Sequence, residues 1–148
     1  MANNKVVLNN GTTLIDLTND TVTADKVLSG AELLEMRRTA SEIPVSEEVL
    51  RYAADLVTIT HPEIPKALDY TKKYIRFGAS PRSAQALITA GKVRALIEGR
   101  YNVSFSDIDR LAYPVLRHRI KPSFAAISDK LSSDDLIAEL LKYAAKRR

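Results

Sequence analysis

Five times between residue 29 and the C-terminus, a serine stands just ahead of a segment whose apolar residues recur three and four positions apart. A serine at that place can accept a hydrogen bond from the free N–H groups of a helix's first turn. The three-and-four spacing lines the apolar side chains along one face. A chain patterned this way is committed to several short amphipathic helices packed on one another.

The segments can be read in order. Ser29 and Glu32 have the spacing of a capping box and open a helix through Leu33, Leu34 and Met36. Ser46, with Glu47 and Glu48 at the positive end of the helix dipole, opens a second. Its face is Val49, Leu50, Ala53, Leu56, Val57 and Thr60, and His61-Pro62 stops it. Residues 62–74 read as a linker with one helical turn at 66–69. Ser80-Pro81 opens the third and longest helix, serine as the cap and proline in the first position, where its missing N–H costs nothing. Ala84, Leu87, Ile88, Gly91 and Ala95 form its inner stripe, broadened by Val93, Leu96 and Ile97, so this helix should be central. Gly91 would let a neighbour pack closely, and Gly99 ends the helix. Ser104 or Ser106 starts a fourth through Ile108, Leu111, Ala112, Val115 and Leu116, which Pro114 should break or kink. Ser132 starts the last, with Leu136, Ile137, Leu140, Leu141 and Ala144 as its stripe. Asp134 and Asp135 at its start and Lys142, Lys146, Arg147 and Arg148 at its end suit the dipole.

The first 30 residues are written differently. β-Branched and apolar runs at 5–8 and 12–17 flank Asn9-Asn10-Gly11, the signature of a hairpin. A lone hairpin is marginal in water, so this segment must dock, oligomerise or stay loose. The expected organisation is an N-terminal extension over 1–30 (a hairpin, a tag or a fusion remnant) and a helical domain over 31–148. The fold class is mainly α, a small helical bundle with a short N-terminal β-hairpin.

Composition narrows the functions open to such a bundle. At 148 residues, folding buries about 68–70% of the surface an unfolded chain exposes, enough for a core without staples. There is no cysteine, which removes disulfides and thiolate metal sites. His61 and His118 are far apart, so no metal site is expected. No apolar run approaches the roughly 18 residues of a membrane span, and the Met1-Ala2-Asn3-Asn4-Lys5 start carries no signal-peptide stretch. A cytoplasmic protein is expected. The net charge is +4, with −1 in residues 1–30 and +5 in the rest. That excess suggests a basic patch facing an anion, either a nucleotide or a nucleic acid.

The most informative stretch is Phe77-Gly78-Ala79-Ser80-Pro81-Arg82-Ser83. It sets a cation, Arg82, at the second position of a helix, where it opposes the dipole by about 0.3–1 kcal/mol. An anion held at that end would reverse the sign. A guanidinium forked onto a phosphate gains on the order of 1.5–3 kcal/mol per charged hydrogen bond. The alternative is a solvent-facing arginine with no partner.

Gly78-Ala79-Ser80-Pro81-Arg82, then Ala84, Leu87, Ala90, Lys92 and Ala95, then Glu98-Gly99-Arg100, resemble the lid helix of MoxR-type AAA+ ATPases. Val103 followed by Asp107-Ile108 is similar to the family's next helix start, and Val115-Leu116-Arg117-His118-Arg119-Ile120 to its Val-Leu-Arg-His-Arg-Ile ending. Val27-Leu28-Ser29 and the run from Val45 to Leu50 also resemble the opening of this lid. The resemblance covers roughly residues 27–120. It implies the C-terminal helical lid of a chaperone-like ATPase. Arg82 would be the second sensor reaching the ATP phosphates, with Ser80 and Pro81 setting the helix end that aims it. Arg117 and Arg119 match a basic cluster late in the lid, implied to lie near the nucleotide or a neighbouring subunit. The alternative for these two is a solvated basic turn. Implied partners are an AAA+ core domain, neighbouring subunits of a ring, and ATP with Mg²⁺ bound mainly by that core.

The sequence departs from a whole ATPase. A P-loop needs Gly-x-x-x-x-Gly-Lys-Ser/Thr, whereas the sole Gly-Lys here, Gly91-Lys92, falls inside a helix. No apolar strand ends in the Asp-Glu pair that binds Mg²⁺. The chain is therefore expected not to be an ATPase alone and to contain no catalytic residue. Residues 62–76 also make a longer link into the Gly-Ala-Ser-Pro-Arg turn than is usual in the family. Two other functions remain open. One is a small basic module binding nucleic acid through Arg37, Arg38, Lys72, Lys73, Arg117, Arg119 and the C-terminal cations. The other is an assembly fragment associating through residues 1–30.

Overall fold

The serines explain where most helices begin. The Ser29 and Ser132 hydroxyls accept from the N–H groups of Glu32 and Asp135 at 3.2 Å, and those carboxylates return to the serine N–H groups at 2.7 and 2.8 Å. Ser46 accepts from the Val49 N–H at 3.4 Å. At Ser104 the return bond is present, its N–H donating to the Asp107 carboxylate at 2.8 Å, so Ser104 rather than Ser106 starts the fourth expected helix.

This computed structural model describes residues 5–7, 13–16, 27–65 and 67–147. The elements run β1 (Lys5–Val7), β2 (Thr13–Asp16), α1 (Gly30–Glu42), α2 (Glu47–Thr58), α3 (Asp69–Tyr74), β3 (Ile75–Phe77), α4 (Arg82–Ile97), α5 (Phe105–Leu116), β4 (Lys121–Pro122), α6 (Phe124–Ser128) and α7 (Ser133–Ala145). The chain divides into two compact units, Met1–Leu34 and Glu35–Arg148. In the first, β1 and β2 pair antiparallel, Lys5 opposite Asp16 and Val6 opposite Ile15, as a hairpin requires. The Asn9-Asn10-Gly11 turn and the tail cation Arg148 lie outside the described residues.

In the second unit, α4 and α5 form an antiparallel hairpin around which α2 and α7 pack. Leu56, Leu87, Ile108, Leu116, Leu136, Ile137 and Leu140 are wholly buried between them. Gly91 packs against the segment entering α5: a Cβ there would lie 2.8 Å from Val103 Cγ1 and 3.7 Å from Ile108 Cδ1. Gly99 takes φ +68°, and the N–H of Arg100 reaches back to the Ala95 carbonyl at 2.8 Å, a left-handed helix stop.

Four expectations need correction. The linker over 62–74 holds its helical turn later, as α3. Leu68, in extended backbone, precedes α3, and the buried Thr71 hydroxyl ties α3 to the end of α2 by donating to the Ile59 carbonyl at 2.8 Å. Pro114 does not break α5. Its missing donor falls in the final turns on an exposed position, and the Arg117 N–H still closes onto the Tyr113 carbonyl at 3.0 Å. Leu50, Val93 and Ile97 lie outside the core stripes, all more than 40% exposed. Ser80 does not cap with its hydroxyl. Pro81 is already helical at φ −55°, ψ −26°, and main-chain bonds close the first turn, from Ser83 N–H to the Ser80 carbonyl at 2.8 Å and from Ala84 N–H to the Pro81 carbonyl at 3.1 Å.

Candidate functional site

The stretch from Phe77 to Arg82 leaves a two-stranded ladder and enters the central helix. β3 pairs antiparallel with β4, Ile75 opposite Pro122 and Phe77 opposite Lys121. The same pairing fixes one end of the α4–α5 hairpin. It brings the turn before α4, with Ser80, Pro81 and Arg82, to the same end as the turn after α5, with Arg117, His118 and Arg119. The ladder thus joins the segment leading into α4 to the segment leaving α5.

Within that end the side chains differ. Arg82 is exposed and enters no ion pair among the described residues. Ser80 and Pro81 are exposed too, and Pro81 lines a shallow cleft of about 320 Å³ with Ala54, Val57, Thr58, His61, Ile64 and Ala84. One residue further on, Ser83 is fully buried and its hydroxyl has no partner. Arg117 is already engaged: its Nε and Nη2 fork onto Asp134 at 2.7 and 2.8 Å. Both side chains are about half exposed, so this pair contributes little to stability. Arg119 is partly buried, with Nη1 shielded and unpartnered.

The turn before α4 is held from behind by the end of α2. Ala79 is fully buried; its N–H donates to Thr60 Oγ1 at 2.9 Å and its carbonyl accepts from His61 Nε2 at 2.8 Å. Glu63 Oε1 lies 2.6 Å from His61 Nδ1 and fixes the ring. Glu63's own backbone N–H and His61 together hold its carboxyl below the usual range. Gly78 is required here, since a Cβ would lie 2.8 Å from the Thr60 carbonyl and hydroxyl oxygens and from His61 Cγ.

At the opposite end of the hairpin, Asp107 is 1% exposed. Arg94 Nε donates to it at 3.1 Å, Arg100 Nη2 at 2.6 Å and Nη1 at 2.9 Å, and the Ser104 N–H and hydroxyl each at 2.8 Å. Glu98 joins both arginines from the outside. Burial pushes the Asp107 carboxyl up, but the hydrogen bonds from Arg100 and Ser104 outweigh it and hold the pKa at about 2. This cluster staples the α4–α5 connection.

Arg82 therefore stands exposed in the first turn of α4, just beyond a turn held by Thr60 and His61. Residues 69–140 match the AAA lid domain family. Over 122 residues, 82% of its length, the chain is 30% identical to Chaperone MoxR1 of Mycobacterium tuberculosis. This chain carries an AAA lid domain of the MoxR type. The crystal structure of a provisionally assigned ATPase from Cytophaga hutchinsonii superposes on 85% of the chain with a TM-score of 0.74 at 29% identity. The chain spans 32% of the chaperone's length and 39% of the crystallised ATPase chain, so about a third of each relative corresponds to this lid.

Asp107, Thr60 and His61 all shape the lid. Only Asp107 had a local signal, the Ser104-x-x-Asp107 spacing of a capping box. Thr60 and His61 act on a residue 18 or 19 positions away, a separation that periodicity does not register. Among the described residues no group of three His, Cys, Asp or Glu could hold a metal ion, and no helix is long and apolar enough to cross a membrane.

Proposed function

We propose that this lid, over residues 31–148 with 1–30 as an extension, senses nucleotide for a cytoplasmic, chaperone-like AAA+ ATPase. Arg82 reaches the phosphates of ATP held by a core domain, and Ser80 and Pro81 aim it. One observation carries the reading. Arg82 is an exposed cation with no acidic partner among the described residues, in the first turn of a 16-residue helix whose dipole disfavours it. A phosphate group is the partner that makes the position favourable, through the helix N-terminus and the guanidinium together.

The residues present fit the anionic side of such a site and not the metal side. The carboxylates that would hold Mg²⁺, and the P-loop, are assigned to the core, so the lid alone does not hydrolyse ATP. Bound ATP supplies the phosphoryl group. What this chain adds is a fixed positive charge where negative charge accumulates, coupled to the position of the lid. Arg119, whose Nη1 is shielded and has no hydrogen-bond partner among the described residues, is the better second contact to phosphate or to a neighbouring subunit of the ring. Arg117 would take that role in competition with Asp134, which already holds its Nε and Nη2. The nucleic-acid reading draws on scattered cations, one of which is this forked Arg117.

In the ATPase that contains this lid, Arg82→Ala is expected to lower ATP turnover about tenfold or more, the scale of one charged hydrogen bond lost. Unchanged turnover would remove the sensor assignment.

A further inference from the structure

We propose that Thr60 and His61 are positioning residues for Arg82. Their side chains clamp both main-chain groups of Ala79 and so set the direction in which α4 begins. The inference rests on the reading of Arg82 given above.

The clamp is built from the end of α2. Thr60 is fully buried and its hydroxyl is used in both senses, donating to the Val57 carbonyl at 2.6 Å and accepting from the Ala79 N–H at 2.9 Å. The next residue, His61, donates from Nε2 to the Ala79 carbonyl at 2.8 Å, its ring braced by Glu63. Two adjacent side chains thus hold the donor and the acceptor of one residue three positions before Arg82. The fit is close on the facing side as well, because Gly78 runs against Thr60 and His61 with no room for a Cβ.

Between the clamp and Arg82 few torsions are free. The Ser80 carbonyl is bound by the Ser83 N–H at 2.8 Å, and the Pro81 ring locks its φ, here −55°. An error of orientation at Ala79 therefore passes to the Arg82 Cα instead of being absorbed on the way. A long, exposed arginine needs such a base to meet a phosphate in one geometry, since misplacement by about 1 Å costs on the order of 100-fold in a reaction that depends on alignment.

The experiment is a double-mutant cycle in the ATPase that contains this lid, using conservative partners. Thr60→Val and His61→Leu remove the two bonds, whereas Thr60→Ser and His61→Gln keep a hydroxyl and an N–H donor. The removing variants should lower kcat about 5- to 10-fold, the scale of one hydrogen bond. The conservative ones should restore most of it. With Arg82→Ala already present, Thr60→Val should have no further effect. A full additional loss in that background, or Thr60→Ser no better than Thr60→Val, would overturn the proposal. If Arg82→Ala alone leaves turnover unchanged, the sensor reading fails and takes this inference with it; if Arg82→Ala is damaging and the clamp variants are silent, the inference alone fails. Amide exchange in the 148-residue chain provides a readout without turnover. The Ala79 N–H should exchange about tenfold faster in Thr60→Val while the α5 amides keep their protection. Unchanged exchange at Ala79 would contradict the clamp itself.

Discussion

Replacing Asp107 by Asn tests the physical account of the lid where the structure supplies a magnitude. The carboxylate is buried, so desolvation alone would favour its neutral form, yet Arg94, Arg100 and Ser104 surround it with donors. Their sum lowers its pKa from an ordinary 3.8 to about 2. That fall corresponds to about 2–3 kcal/mol of stability drawn from the charged form. Because the folded value is the lower one, the contribution is complete above pH 3.8 and is lost as pH falls through 2. Roughly half is gone by pH 3. Asp107→Asn is therefore expected to unfold about 2–3 kcal/mol more easily at pH 7, a drop of roughly 10 °C in Tm for a unit of this size. Urea unfolding followed by circular dichroism at pH 7, 5 and 3 measures it, and the gap to the unmodified chain should stay constant from 7 to 5 and shrink by 3. Equal midpoints at pH 7, or a gap that does not shrink, would refute the reasoning that the charge on Asp107 is what staples α4 to α5.

Two further outcomes follow from packing and backbone. Gly91→Ala places a methyl 2.8 Å from Val103 Cγ1 and should cost about 1–3 kcal/mol by overpacking. Combining it with Val103→Ala should recover stability in thermal unfolding, and no recovery would mean that Gly91 does not pack against Val103. Pro114→Ala restores a donor inside α5 and should raise Tm, by less than the roughly 3 kcal/mol of a helix-interior proline because the position is exposed; a lower Tm would show that the ring is needed where it stands.

The helices were legible because their signals are local. Ser29 with Glu32 and Ser132 with Asp135 are complete capping boxes within four residues, and the Leu87, Gly91, Ala95 spacing is one face of one helix. The ladder of β3 and β4 was not legible. Three residues against two show no alternation, and their pairing joins positions more than 40 apart. α3 was shifted by three residues because it has no capping side chain. Pro114 ends no helix because the turn that lacks its donor faces solvent, an exposure set by packing that the local sequence does not show. The candidate site was half legible. Arg82 stood out as a cation against a dipole, and the ordered Gly-Ala-Ser-Pro-Arg resemblance gave it a family role. The clamp on Ala79 could not be read, since Thr60 and His61 look like the ordinary end of a helix until the turn folds back onto them.

Equilibrium binding of ATP to the ATPase that contains this lid, compared between the unmodified protein and Arg82→Ala at fixed Mg²⁺ and salt, tests the sensing claim most directly. The Kd for ATP is expected to rise about 10- to 100-fold on loss of a charged hydrogen bond to phosphate, with the lid still folded by circular dichroism. An unchanged Kd in a folded variant would contradict it.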